Sequence, residues 1–286
     1  MDTQIDTIIG FDSAWSGIYK GGISAVKIHD KTLVEFIAPE LVSYEEALAF
    51  IRKHMSPSGF NLIAIDQPTV VENMAGGRPV DYLIKKILDY LGGGLILANR
   101  ESTFFNDNAP IWWFLSTLNS WGFIQKPEES RDCKAGNYVI EVFPALSLLS
   151  FEGAQKRSLK YNPKKKNFKS DDWNSVIQII INESTKHQLS PIAKYCESLR
   201  NLKFQTEQEG KKIQDKIDSI LCLITAIASR WNSEGTVIVG DTQTGYMVTP
   251  CSEYIFSQLL RGQKIFRERD GISVNLSRKQ NNGNAE

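Results

Sequence analysis

The chain of 286 residues is 42% hydrophobic and 23% charged, an ordinary soluble composition that can build one elaborated domain or a core with a subdomain. Its 33 basic and 33 acidic residues cancel, so overall charge argues for no polyanionic partner and leaves a local basic patch open. The opening MDTQIDTIIG has no basic stretch ahead of an apolar one, and the longest apolar segment, SILCLITAIAS, is too short to span a bilayer; neither a secretory leader nor a membrane anchor is expected, and the expected location is cytoplasmic.

Residues 4–12 and 21–28 read as strands, and the tight turn His29-Asp30-Lys31 leads into a third, TLVEFIAP, which predicts an antiparallel meander. SYEEALAFIRKHM opens with Ser43 and Glu46, a capping box ahead of an amphipathic helix. NLIAIDQP follows as a short, almost wholly apolar strand of the kind covered on both faces. Residues 69–130 are less regular: PVDYLIKKILDYL is a helix stopped by Gly92-Gly93-Gly94, APIWWFLSTLNSWG is another, and together they read as a helical insertion beside the sheet. YVIEVFP returns to strand character.

A basic loop over 156–169, interrupted by Pro163, precedes the helix SDDWNSVIQIIINESTKH, with Ser170 as expected N-cap. KKIQDKIDSILCLITAIASRW is the strongest helix, its apolar positions Ile217, Leu221 and Ile224 recurring at helical spacing. VIVGD reads as a late edge strand and EYIFSQLL as a short helix. Residues 1–270 are expected to form a single domain, with the insertion at about 69–130, and 271–286 a polar, flexible tail.

The four cysteines are far apart with no CxxC pair, which argues against a zinc or disulfide framework. The three histidines are scattered and none sits in a motif, which argues against a Ser-His-Asp or Cys-His mechanism. Chemistry must therefore rest on carboxylates, lysines or arginines. Three strand-like segments carry an acid near their C-terminal ends: Asp12 in GFD, Asp66 in AIDQP and Glu141 in IEVFP. A proline within three residues turns the chain away after Asp66 and Glu141, leaving each acid near the sheet edge. Asp215 and Asp218, three residues apart, share one side of the strong helix near its N-terminal end.

Carboxylates gathered on one spot repel unless a cation neutralises them. An oxygen-only ligand set suits hard ions such as Mg²⁺ or Mn²⁺, and two of them about 4 Å apart can hold the attacking water and the leaving oxygen of a phosphodiester in line. Each acid also has a plainer reading: Asp12 and Asp66 as turn residues, Asp215 and Asp218 as ordinary first-turn acids. Glu141 is harder to dismiss, because an unpaired buried charge is costly.

The order of these pieces resembles the RNase H-like superfamily, in which three antiparallel strands are followed by parallel ones and acids sit on the first strand, the fourth strand and a late helix. Asp215-x-x-Asp218 resembles the paired helix acids of its Holliday-junction resolvases. GFDSAW, IAIDQP with the downstream GRPVD, VIEVFPALSL, KYNPKKK, DKIDSILCLITA and GYMVTP resemble the family catalogued as domain of unknown function 429, described as predicted RNase H-like nucleases, over nearly the whole chain. The resemblance implies an α/β fold with a mixed five-stranded sheet flanked by helices. It also implies metal-ligand roles for Asp12, Asp66 and Asp218, with Asp215 and Glu141 as further ligands, and a nucleic acid as partner.

Arg78 and Asp81 in GRPVD, and Asn99-Arg100, are candidates to contact a phosphate or orient a ligand acid, or else to pack the insertion. Lys160, Lys164, Lys165 and Lys166, with Tyr161 and Phe168 interleaved, can track a phosphate backbone or form a solvated loop. Trp112, Trp113 and Trp121 read as core, and Asp241 as a turn residue. The leading expectation is a metal-dependent phosphodiesterase acting on nucleic acid. The alternatives are an actin-like nucleotide-binding phosphotransferase, for which the chain offers one plausible copy of a domain usually present twice, and a catalytically silent binding module.

Overall fold

Strand β1 (Asp6–Asp12) is buried from Thr7 onward, as a strand must be when both faces of its sheet are covered. In the computed structural model, which describes residues 5–151 and 157–279, β1 pairs antiparallel with β2 (Gly21–His29) and parallel with β4 (Phe60–Ile65). Strand β3 (Thr32–Val42) completes the expected meander on β2. Their turn holds Asp30 and Lys31 at φ 46° and 62°, the left-handed pair whose twist matches a hairpin. Beyond β4 lie β6 (Gly136–Glu141) and the two-residue β5 (Phe123–Ile124), both parallel. The sheet order is β3-β2-β1-β4-β6-β5, six strands where five were expected. The extra one is β5, too short to show a two-residue period.

Helix α1 (Tyr44–His54) begins at the expected capping box: Ser43 Oγ accepts from Glu46 N at 3.2 Å and Glu46 Oε2 accepts from Ser43 N at 2.7 Å. It packs beside α3 (Pro110–Ser120) on one face of the sheet, over Phe11, Tyr44 and Phe114. The opposite face is covered by α7 (Glu207–Trp231), the strongest sequence signal, whose Ile217, Leu221 and Ile224 are fully buried. Two glycines let α7 lie directly on the strands. A Cβ on Gly10 would meet Ser219 O at 2.1 Å, and one on Gly22 would meet Asp215 O at 2.0 Å. Helices α5 (Ser170–Lys186) and α6 (Ser190–Glu197) extend this core through Trp173, Val176 and Ile192. Helix α5 starts at Ser170 itself, after Lys169, so Ser170 is its first residue and not its cap.

The short α4 (Pro144–Ser147) follows β6 directly. A second, antiparallel sheet has the order β8-β7-β9, built from β7 (Thr236–Asp241), β8 (Gly245–Pro250) and β9 (Leu276–Arg278). VIVGD is therefore the centre of a second sheet and not an edge strand. Among the described residues one isolated bridge, Val142 with Val248, joins the two sheets. Helix α2 (Pro79–Tyr90) and α8 (Glu253–Asp270) pack with the second sheet around Leu83, Val237 and Leu259. The expected short helix at EYIFSQLL thus runs 18 residues, to a left-handed Gly271 at φ 65°. The insertion splits, α2 joining the second sheet and α3 the first. The expected tail begins late, since Val274 is buried and β9 pairs with β7; residues 280–286 lie outside the described residues. No helix among the described residues is long and apolar enough to cross a membrane.

Candidate active site

Phe11 and Ile65 are paired in the parallel β1–β4 ladder, so Asp12 and Asp66 emerge side by side where the two strands end. Asp66 N donates to Phe11 O at 2.9 Å, which ties the two strand ends together at these acids. Glu141 follows at the same edge, paired with Ile65 across the β4–β6 ladder. The carboxyl ends of parallel strands are where open α/β sheets place their ligand crevices. Because Gly10 and Gly22 admit α7 so closely, Asp215 and Asp218 are carried to this edge on one side of the helix. Asp218 Oδ1 accepts from Tyr161 Oη at 2.8 Å and Oδ2 from Gln214 Nε2 at 2.8 Å. Asp215 accepts from Lys211 Nζ, one turn earlier.

Burial is the first cause of the electrostatics here, and mutual repulsion the second. The Asp12 carboxyl is pushed well above its ordinary range by burial, then by Asp218, and more weakly by Asp66 and Asp215, with Lys211 opposing. Asp66 is raised by burial, then by Asp218 and Glu141, again against Lys211. Burial lifts Asp218 to about 6, opposed by Lys211 and by the Tyr161 and Gln214 hydrogen bonds. Burial works against the Lys211 charge, but Asp12, Asp218 and Asp215 outweigh it and hold the ammonium protonated. Tyr161 is kept neutral by burial and by Asp218.

The repulsion that Asp218 exerts on both Asp12 and Asp66 is relieved by protonation or by a cation among the acids. Oxygen donors with excess negative charge are the chemistry that Mg²⁺ or Mn²⁺ selects, so the buried Asp12 and Asp218 and the half-buried Asp66 fit such an ion. Among the described residues no three His, Cys, Asp or Glu side chains are already gathered to hold one; the positive charge nearest these acids is Lys211.

Glu141 is held differently. Arg78 grips it with both guanidinium nitrogens, Nη1 to Oε2 at 2.8 Å and Nη2 to Oε1 at 2.7 Å, and Thr69 N donates to Oε2 at 2.9 Å. Asp81 takes the other side of the same guanidinium, accepting from Nη2 at 2.8 Å. Burial raises the Glu141 carboxyl and Arg78 opposes it; Glu141 and Asp81 in turn keep Arg78 fully charged despite its burial. Arg78 is thus an internal residue, completely buried, that orients Glu141 and has no access to substrate. Arg100 is also occupied within the protein: its Nε donates to Val71 O at 2.8 Å and its guanidinium lies 4.1 Å over the Trp112 ring.

A family model described as "Protein of unknown function (DUF429)" matches residues 10–244. The chain belongs to the DUF429 family. Searches of curated proteins and of solved structures found no match. The DUF429 segment contains Asp12, Asp66, Glu141, Asp215 and Asp218, and ends just before β8.

Above Asp12 and Asp215 opens a cavity of about 580 Å³, walled by Trp15, Tyr19, Phe104, Lys164, Lys211 and Lys212. Of the basic-loop candidates, Lys164 reaches this DUF429 cleft. Lys160 Nζ bonds Gly92 O instead, while Lys165 and Lys166 are exposed and do not line the cavity. Tyr161, in the same loop, is buried as the hydrogen-bond donor to Asp218. Sequence reading missed Lys211, whose position four residues before Asp215 is a helical-pair signal. It also missed Trp15, which no spacing announces: it holds φ 55° while its Nε1 donates to Asp66 O at 2.8 Å.

Proposed function

We propose that this protein is a metal-dependent nuclease that hydrolyses phosphodiester bonds in a nucleic acid, on an RNase H-like framework. The observation that carries the reading is the placement of Asp12 and Asp66 at adjacent strand ends, with the Asp218 charge acting on both, beside a lysine-walled cleft onto which Asp12 and Asp215 open. The run β3-β2-β1-β4-β6, antiparallel and then parallel, supports the framework.

Asp12, Asp66 and Asp218 would hold Mg²⁺ or Mn²⁺, as one ion or a pair, with Asp215 as a further ligand. Bound there, the metal supplies activation of a water and charge stabilisation at the departing oxygen. Tyr161 and Gln214 fix the Asp218 carboxylate by donating to both of its oxygens. Glu141, clamped by Arg78, adds negative charge behind Asp66 without leaving its own salt bridge. Lys211 balances the acids from the cleft side, and Lys164 and Lys212 offer ammonium groups to phosphates.

The test is cleavage of single-stranded, duplex, hybrid and junction substrates with Mg²⁺ or Mn²⁺. Cleavage that disappears in EDTA and falls on the order of a hundredfold or more in Asp12→Asn supports the reading, since even groups behind a ligand cost 10–100-fold. No metal-dependent cleavage of any member of the panel overturns it.

A further inference from the structure

The cleft differs from a plain cation-lined groove in what stands at its mouth. Ile18 and Tyr19 are 84% and 68% exposed, side by side in the connection between β1 and β2. Deeper in the same wall, Trp15 is fixed: its indole Nε1 donates to Asp66 O at 2.8 Å, and its ring meets Phe104 and Phe105 edge-on at 5.8 and 5.4 Å. The same cavity is lined by Lys164 and Lys212, neither of which has an ion-pair partner among the described residues. Lys20, also in the wall, is engaged by Glu46 at 2.7 Å.

Exposed aromatic faces beside unpaired ammonium groups are the pairing that single strands use: the lysines follow the phosphates and each base offers a π-face to an aromatic ring. In a duplex those faces are covered by neighbouring base pairs, so an exposed tyrosine gains nothing there. The aromatic wall is joined to the acids through the bond from Trp15 to Asp66, so a base stacked on Tyr19 and Trp15 leads its phosphate toward Asp12. We propose that the Ser13–Lys20 connection is a base-stacking platform that selects single-stranded nucleic acid. This deepens the nuclease reading and rests on it for the role of the acids, while the binding it claims is measurable without cleavage.

The experiment is fluorescence anisotropy with labelled 12-mers of single-stranded DNA, single-stranded RNA and the corresponding duplexes. Wild type is used in EDTA, so that nothing is cut. Single strands are expected to bind at least about tenfold tighter than duplex, and Tyr19→Ala to weaken that binding about tenfold, within the range for loss of one stacked base. Tyr19→Phe, which keeps the ring, should bind like wild type. Lys164→Ala and Lys212→Ala should each flatten the log-affinity against log-salt slope by about 0.7. A preference for either single strand supports the proposal and assigns the sugar. Duplex binding as tight as single-strand binding, or an unchanged affinity in Tyr19→Ala, overturns it. A protein that binds single strands through Tyr19 yet cuts nothing keeps this inference and loses the nuclease reading. One that cuts duplex, with Tyr19 silent, does the reverse.

Discussion

Asp218 is the acid of the cleft whose surroundings are most fully defined, and its protonation carries a signed consequence for stability. Burial raises its carboxyl from an ordinary 3.8 to about 6 even with Tyr161 and Gln214 donating to it. A carboxyl raised on folding favours the folded state in its protonated form. Its stabilising contribution is complete below the unfolded value near 4 and is lost as pH rises through about 6. Metal-free protein should therefore lose stability between pH 4 and 6 relative to Asp218→Asn, which has no charge to bury. The difference is expected to be on the order of 2 kcal/mol, from 1.36 kcal/mol per pH unit. Thermal unfolding of both proteins in EDTA across that window measures it. Curves that stay parallel would mean that burial does not raise the Asp218 carboxyl on folding.

At the scale of elements, what brings the acids together is the contact of α7 with β1 and β2, and that contact depends on Gly10 and Gly22 having no side chain. The helix and both strands were legible from their periods, and the acids from their places before a strand end or on one helical turn. The glycines were not, because a close approach between segments 200 residues apart leaves no local pattern. The second sheet was hidden for a related reason: β7 is a short apolar run late in the chain, and its partner β9 is only three residues of a polar segment. Arg78 was read as either a phosphate contact or an ordinary packing residue. In the fold it ties the start of α2 to the end of β6, with Glu141 and Asp81 on its two sides. Gly245, at φ 107°, leaves room for it: a Cβ there would meet Arg78 Cδ at 2.6 Å. Arg78→Leu would leave two buried carboxylates without their cation, and removing one partner of a buried ion pair costs about 3–5 kcal/mol. Chemical denaturation should register a loss of that size. A loss below about 1 kcal/mol would show that the Arg78 clamp is not what holds α2 to the sheet.

For the whole molecule, the balance of 33 acidic and 33 basic residues hides a local imbalance, since burial concentrates repelling carboxyls at one sheet edge with Lys211 as their nearest counter-charge. The native state then carries an electrostatic cost that the unfolded chain, with its acids dispersed in water, does not. A divalent cation that binds only the native arrangement relieves that cost and stabilises the entire fold by RT ln(1 + [L]/Kd), about 2.7 kcal/mol at a hundredfold excess over Kd. Asp12 feels every other acid of the cleft edge on α7 and β4, so Asp12→Asn should do two things at once. In EDTA it should be as stable as wild type or more so, because a repelling charge is gone. In millimolar Mn²⁺ it should gain little, because a ligand is gone too. The crossing of these two effects separates metal binding from mere relief of repulsion, which would stabilise the variant without altering the response to the ion. Thermal unfolding of both proteins with EDTA and with Mn²⁺ reads both effects. Equal gains from Mn²⁺ in wild type and Asp12→Asn would remove Asp12 from the ligand set, and with it the reason for a carboxylate at the end of the central strand.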